Sequence, residues 1–172
     1  MSLVPATVGD LAEVMAELSS VLWKQRNQIE MLQYRLEVQQ LICATATERR
    51  LQIAVDEVEV ALEEIRRSER ARDAVVRQCA QLLALASDAS LADIRSRVPE
   101  PWHSMLADHQ EALLAMVADA ENLAARNREL ALRGAHDARA LLDAVTGGAN
   151  PSSYGPSSGV TSARGTLLDH RV

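Results

Sequence analysis

Histidine, cysteine and closely spaced carboxylates are the residues of this chain that could hold a metal or move protons. The histidines are His103, His109, His136 and His170. His103 and His109 stand six apart, so a helix would not bring them to one face. Glu100 and His103 have the i,i+3 spacing used in di-iron bundles, but that chemistry needs the motif twice plus two further carboxylates. Here it occurs once, beside Pro101. His109 and Cys79 each lie about eight residues from the break between their segments, and antiparallel helices would set them near each other. Two ligands do not make a zinc site, which needs three or four. The expectation is a core-edge histidine beside a thiol, with no metal and no cofactor.

Nucleophilic and phosphate chemistry fare no better. The sequence has no G-x-S-x-G elbow, no phosphate-cradling glycine loop and no CxxC pair. Its carboxylates are expected mostly to face arginines on solvated helix faces, and Glu69 with Arg72 reads as such a stretch or as a pair that sets register. An enzyme would need a concave pocket with convergent polar groups. The expectation is a non-catalytic binding protein.

Composition points the same way. The 172 residues are 48% hydrophobic, without phenylalanine and with only Trp23, Tyr34, Trp102 and Tyr154 aromatic. Ala, Leu and Val mixed with Glu, Arg and Gln are the material of long helices. The formal net charge of −6 opposes a long phosphate backbone, and no basic arm or stacking aromatic pair appears, so nucleic acid is not an expected partner. Cys43 and Cys79 both fall in helical patterns and suit reduced thiols. No signal-peptide pattern opens the chain. The longest uncharged run, Gln78 to Ser87, is about half of what a bilayer span requires. A cytoplasmic protein with no stable membrane insertion is expected.

The elements follow from periodicity. Asp10 is a suitable N-cap for a first helix over about 10–44. Its seam runs Leu11, Met15, Leu18, Leu22, Gln25, Ile29, Leu32, Leu36 and Gln39, in alternating steps of four and three. Trp23 to Asn27 forms a polar interruption. Thr45-Ala46-Thr47-Glu48 matches a capping box for a second helix over about 46–86. The second seam reads Leu51, Val55, Val58, Leu62, Ile65, Glu69, Arg72, Val76, Cys79 and Leu83. Ser90 can cap a short helix over about 91–97, which Pro99 ends. Pro101 fits the first turn of a third long helix over about 101–146.

That helix carries the seam Trp102, Leu106, His109, Leu113, Met116, Ala120, Leu123, Asn127, Leu130, Gly134, Ala138, Leu141 and Val145. Two successive steps of four between Leu130 and Ala138 would locally unwind a coiled coil. Gly147-Gly148 should stop the helix, and 147–172, rich in Gly, Ser and Pro, reads as a flexible tail. The expected fold is all-α: residues 1–146 as an elongated antiparallel three-helix bundle or coiled coil. The seams are also compatible with a homodimer.

Residues 123–145 are the most suggestive surface. Small side chains let another helix approach closely, while Leu123, Leu130, Leu141, Leu142 and Val145 supply anchors at helical spacing. Gly134 costs up to about 1 kcal/mol of helix stability relative to alanine. The candidate partner-binding set is Leu123, Asn127, Leu130, Gly134, Ala138, Leu141, Leu142 and Val145. An Ala-rich inner face packed within the bundle would show the same periodicity, and spacing does not separate the two.

An ordered set of segments resembles the FlgN-like flagellar export chaperones, in particular their high-GC Gram-positive branch. It comprises Leu22-Trp23-Lys24-Gln25-Arg26, Glu37-Val38-Gln39-Gln40-Leu41, Ala54 through Leu62, Pro99-Glu100-Pro101-Trp102, Leu106-Ala107-Asp108-His109, Asn127-Arg128-Glu129-Leu130 and Tyr154-Gly155-Pro156 with Gly159. The resemblance implies a cytoplasmic chaperone. Such a chaperone binds the C-terminal helical segments of the hook-filament junction proteins, hook-associated proteins 1 and 3. It prevents their premature assembly and delivers them to the flagellar type III export apparatus. It also implies that the client is held by the C-terminal helical part, which corresponds to about 123–145. The rival reading is a structural scaffold that self-associates through its coiled-coil seams.

Overall fold

The computed structural model describes residues 8–45 and 48–146. The described residues form four helices: α1 (Val8–Ala44), α2 (Glu48–Leu82), α3 (Leu91–Arg97) and α4 (Trp102–Thr146). Among the described residues there is no strand, so the fold is all-α. At a rise of about 1.5 Å per residue the three long helices measure roughly 55, 52 and 68 Å. The expected tail and residues 46–47 lie outside the described residues.

The element boundaries depart from the sequence reading in small, explicable ways. α1 begins at Val8 rather than Asp10, and α4 at Trp102 rather than Pro101. α2 ends at Leu82, four residues early, where Ala84 takes the left-handed φ of 52° and Leu85 N–H bonds back to Ala80 O. Thr45 does not open α2: its hydroxyl donates to the carbonyls of Leu41 (3.2 Å) and Ile42 (3.1 Å), finishing α1 instead. Ser90 does cap α3 as expected, in a capping box with Asp93, and Val98 turns extended ahead of Pro99.

α1 is the common wall of the structure. It packs along both α2 and α4, while α2 and α4 make no close backbone approach to each other among the described residues. Its seam is legible directly: Met15, Leu18, Leu22, Gln25, Ile29, Leu32 and Leu36 are all buried. One apolar cluster joins Met15, Leu18 and Leu22 to Cys79, Ile94 and Leu106. A second joins Leu32 and Leu36 to Ala61, Ala120 and Leu123. Each leucine so buried contributes about 1.5–3 kcal/mol, so the seam is the main source of cohesion.

The second seam is offset from the one expected. Its one line buried throughout is Ala54, Ala61, Ser68 and Val75, seven apart, alternating with half-buried Val58, Ile65 and Arg72 and with fully buried Cys79. Val55, Leu62, Glu69 and Val76 flank it, half-buried. Small side chains occupy the line of closest approach because they let the two helix axes come together, leaving the larger residues to cover the edges. Arg72 makes its ion pair with neighbouring Asp73 at 3.6 Å.

Long polar side chains fix register between helices. Gln28 and Arg35 of α1 donate to the backbone carbonyls of Glu64 (3.4 Å) and Glu57 (3.0 Å) of α2. Along these pairs one number rises as the other falls. Gln33 donates to Met116 O at 2.8 Å, and Asn127 to Leu36 O at 2.8 Å, so along α4 both numbers rise. α3 is tied to the start of α4 by Arg95–Gln110 and by His103 Nδ1, which donates to Arg95 O at 2.9 Å.

Candidate functional site

Burial along α4 changes once, and the change marks the candidate surface. From Leu106 to Asn127 the face that meets α1 is buried at Leu106, His109, Ala120, Leu123 and Asn127. Leu130 is half-buried, and every residue from 131 to 146 is exposed. The cause is length. Asn127 bonds to Leu36 O and to Gln39 Oε1. From Leu36, α1 has only 8 more residues to Ala44, whereas α4 has 19 beyond Asn127 to Thr146. The last turns of α4 therefore run past the end of their neighbour.

This divides the predicted partner-binding residues. Leu123 and Asn127 are core members of the bundle, packed or hydrogen-bonded to α1, and are not available to a partner while it is intact. Leu130 lies at the boundary. Gly134, Ala138, Leu141, Leu142 and Val145 are exposed, with Leu141 67%, Leu142 63% and Val145 82% open to solvent. A side chain added at Gly134 would meet nothing within 4 Å. For residues 131–146 the Ala-rich segment is an uncovered face; for residues 120–127 it is the inner face of the bundle.

The overhang is apolar where the bundle seam would continue. Gly134, Ala138, Leu141 and Val145 prolong the line of Ala120, Leu123 and Asn127 at helical spacing. Its charges lie elsewhere: Arg133 is paired with Glu129 at 3.2 Å on the solvated side. Thr146 Oγ1 donates to Leu142 O at 2.6 Å within the last turn. Among the described residues no helix covers this stripe, an unfavourable state for so many apolar side chains on one face.

Sequence reasoning did not single out a second exposed line, Met31, Tyr34 and Leu41, on the solvent side of α1. Its signal was present as i, i+3, i+10 spacing away from the main seam. Nor did it foresee the packing of the Trp23–Asn27 interruption. Trp23 stands edge to face with His109 at 5.1 Å, and the Arg26 guanidinium lies 4.4 Å over the Trp23 ring. His109 thus meets an indole. Burial, reinforced by Arg26 and opposed by Asp108, holds its pKa below the ordinary value of 6.5. Cys79 lies in the core, where burial is the main cause that pushes its thiol up to about 11.

Among the described residues no group of three His, Cys, Asp or Glu is placed to hold a metal ion. A shallow depression at the α2–α3 connection is bordered by Leu85, Asp88, Asp93 and Arg97 and gathers no convergent acid–base pair. Asp93 there is engaged by Ser90, whose hydroxyl and N–H hold its carboxyl below the usual range. Among the described residues no helix is long and apolar enough to cross a membrane.

Against known proteins, a family model described as FlgN protein matches residues 15–162. No curated protein and no solved structure matches.

Proposed function

The chain belongs to the FlgN family, a family of chaperones for flagellar assembly and export, and we propose that it captures the C-terminal helical segments of hook-associated proteins 1 and 3. The observation that carries this reading is the overhang of α4: an apolar stripe at helical spacing, exposed from residue 131 to 146 because α1 ends first.

Capture works by helix-on-helix burial. A junction protein's terminal helix carries an apolar stripe meant for its assembled neighbours. Leu141, Leu142 and Val145 supply anchors, and Gly134 and Ala138 let the client's backbone come close. Each Å² of apolar area removed from water contributes about 25 cal/mol. Ordering both partners offsets part of that gain, which keeps the complex reversible at the export apparatus. Leu123, Asn127 and Leu130 serve the site from within, by anchoring the root of the overhang on α1.

In this reading the three long helices form an antiparallel up-down-up bundle whose task is to hold the overhang rigid in the cytoplasm. The opposed numbering of the α1–α2 hydrogen bonds and the matched numbering of the α1–α4 bonds support it. The resemblance of its ordered set of segments to the high-GC Gram-positive branch supports placing the chain there. Co-purification of the full chain with the C-terminal segment of hook-associated protein 1 or 3 tests the proposal. A defined complex on gel filtration is expected, and two separate peaks with both segments would reject it.

A further inference from the structure

We propose that the outer groove between α1 and α2 is a second docking surface, for an amphipathic helix of another protein whose apolar stripe is edged by lysine or arginine. The bonds from Gln28 to Glu64 O and from Arg35 to Glu57 O pin one face of each helix to the other. Steps of three and four place Met31, Val38 and Ile42 on the face of Gln28 and Arg35. The same steps place Ile53 and Val60 on the face of Glu57 and Glu64. In that antiparallel register Val60 lies beside Met31, and Ile53 lies between the levels of Val38 and Ile42. Met31, Ile53 and Val60 are about half open to solvent, and Val38 and Ile42 are half-buried. Tyr34 and Leu41, more exposed still, widen the apolar face on α1. From Met31 to Ile42 it runs about 16 Å, long enough for three turns of a helix.

Charge decides what fits. Glu30 and Glu37 flank Tyr34 at spacings of four and three on the outer edge of α1, and Asp56 and Glu63 flank Val60 in the same way on α2. All four are exposed. Glu63 is shared by Arg66 and Arg70, whereas Glu30, Glu37 and Asp56 are in no ion pair with a described residue. The cations of these faces stand elsewhere. Arg35 in the floor is engaged by Glu57 O, Arg49 is one turn beyond Ile53 toward the tip, and Lys24 and Arg67 lie past Gln28 at the other end. Carboxylates along both edges of an apolar strip are complementary to a helix with cations on both edges of its own strip. A second copy of this groove would set like charges against each other, and an anionic lipid surface would be repelled. α4 packs on the side of α1 that carries Gln33 and Leu36, away from the groove. A partner here therefore leaves the overhang free and is independent of the client reading.

The test uses the full chain, with Leu141→Asp and Val145→Asp closing the overhang so that the groove is read alone. The probe is a labelled synthetic helix of leucine and lysine, lysines edging the leucine stripe, titrated by fluorescence anisotropy. One control has glutamate in place of lysine, and another has the same leucines and lysines in scrambled order. The leucine–lysine helix should bind at least about tenfold more tightly than either control. Adding Ile53→Ser with Val60→Ser should weaken it at least about tenfold by removing the apolar anchors. Adding Glu30→Lys with Glu37→Lys instead should weaken it to a similar degree and strengthen binding of the glutamate helix. All four positions are exposed, so circular dichroism should show unchanged helicity. Equal binding of the helix and its scrambled form, or an affinity untouched by Ile53→Ser with Val60→Ser, would each overturn the assignment. So would the absence of leucine–lysine binding, with or without co-sedimentation of the chain on phosphatidylglycerol vesicles.

Discussion

The side-chain amide of Asn127 donates to the backbone carbonyl of Leu36 at 2.8 Å and to Gln39 Oε1 at 2.9 Å, fastening α4 to α1 at the level where α1 is about to end. Asn127 is buried and sits on the seam between Leu123 and Leu130. A polar residue at one seam position fixes register, since any slip would leave its amide unpaired in the core.

Asn127→Ala should therefore lower stability by about 1 kcal/mol, the usual net worth of one such bond, more if the Gln39 side chain is stranded. Urea unfolding followed by circular dichroism measures it. An unchanged midpoint would show that the bond does not hold the helices together.

Either side of Asn127, leucines should differ sharply in cost. Leu123→Ala removes a buried side chain packed in the cluster of Leu32, Leu36 and Ala61 and should cost about 2–4 kcal/mol. Leu141→Ala, at an exposed position, should stay within about 0.5 kcal/mol. Thermal unfolding of dilute protein compares them, and equal losses would mean that the overhang is folded back onto the bundle.

How much of this was readable beforehand depends on the helix. In α1 the steps of four and three from Leu11 to Gln39 mark the buried face almost residue by residue, because large apolar side chains lie at its centre. In α2 the eye is drawn to Val55, Leu62 and Val76, yet these are half-buried while Ala54, Ala61 and Ser68 are buried. Small residues carry little hydrophobic signal, and close helix approach selects them. In α4 the apolar positions continue to Val145, with one shift between Leu130 and Ala138, while burial stops near Leu130. Where α1 ends relative to α4 is set by tertiary register, which no local pattern encodes. The expected partner-binding set therefore spans both regimes, with Leu123 and Asn127 buried against α1 and Gly134, Ala138, Leu141, Leu142 and Val145 exposed.

A pH dependence follows from His109. Its folded-state pKa lies below the ordinary 6.5 because burial disfavours the charged ring. Above 6.5 the imidazole is neutral in both states and nothing changes. As pH falls through 6.5 the unfolded chain takes up the proton first, so stability is lost from there down toward the folded pKa. His109→Gln should flatten this slope, and the comparison is made by urea unfolding between pH 7 and pH 5. Asp93 and Glu100, both held low by serine hydrogen bonds, also lose their stabilising contribution as pH falls, but only in the more acidic carboxylate range.

The two thiols should react at very different rates. Cys79 is fully buried with its pKa pushed up to about 11, whereas Cys43 is half-buried near the end of α1. Thiolate is the reactive form. Alkylation of native protein near neutral pH, read by peptide mass, should modify Cys43 first and reach Cys79 only after denaturant is added. Labelling of both at one rate would contradict the packed core around Cys79.

The central claim is that the part of α4 beyond α1 is where a foreign helix binds. Titration calorimetry of the C-terminal segment of hook-associated protein 1 or 3 into the full chain, and into Leu141→Asp with Val145→Asp, tests it most directly. Binding by the unaltered chain and at least about a hundredfold loss in the double variant, with helicity retained, is the predicted result, since each desolvated carboxylate costs more than 1 kcal/mol. Equal affinity for both proteins would contradict the account.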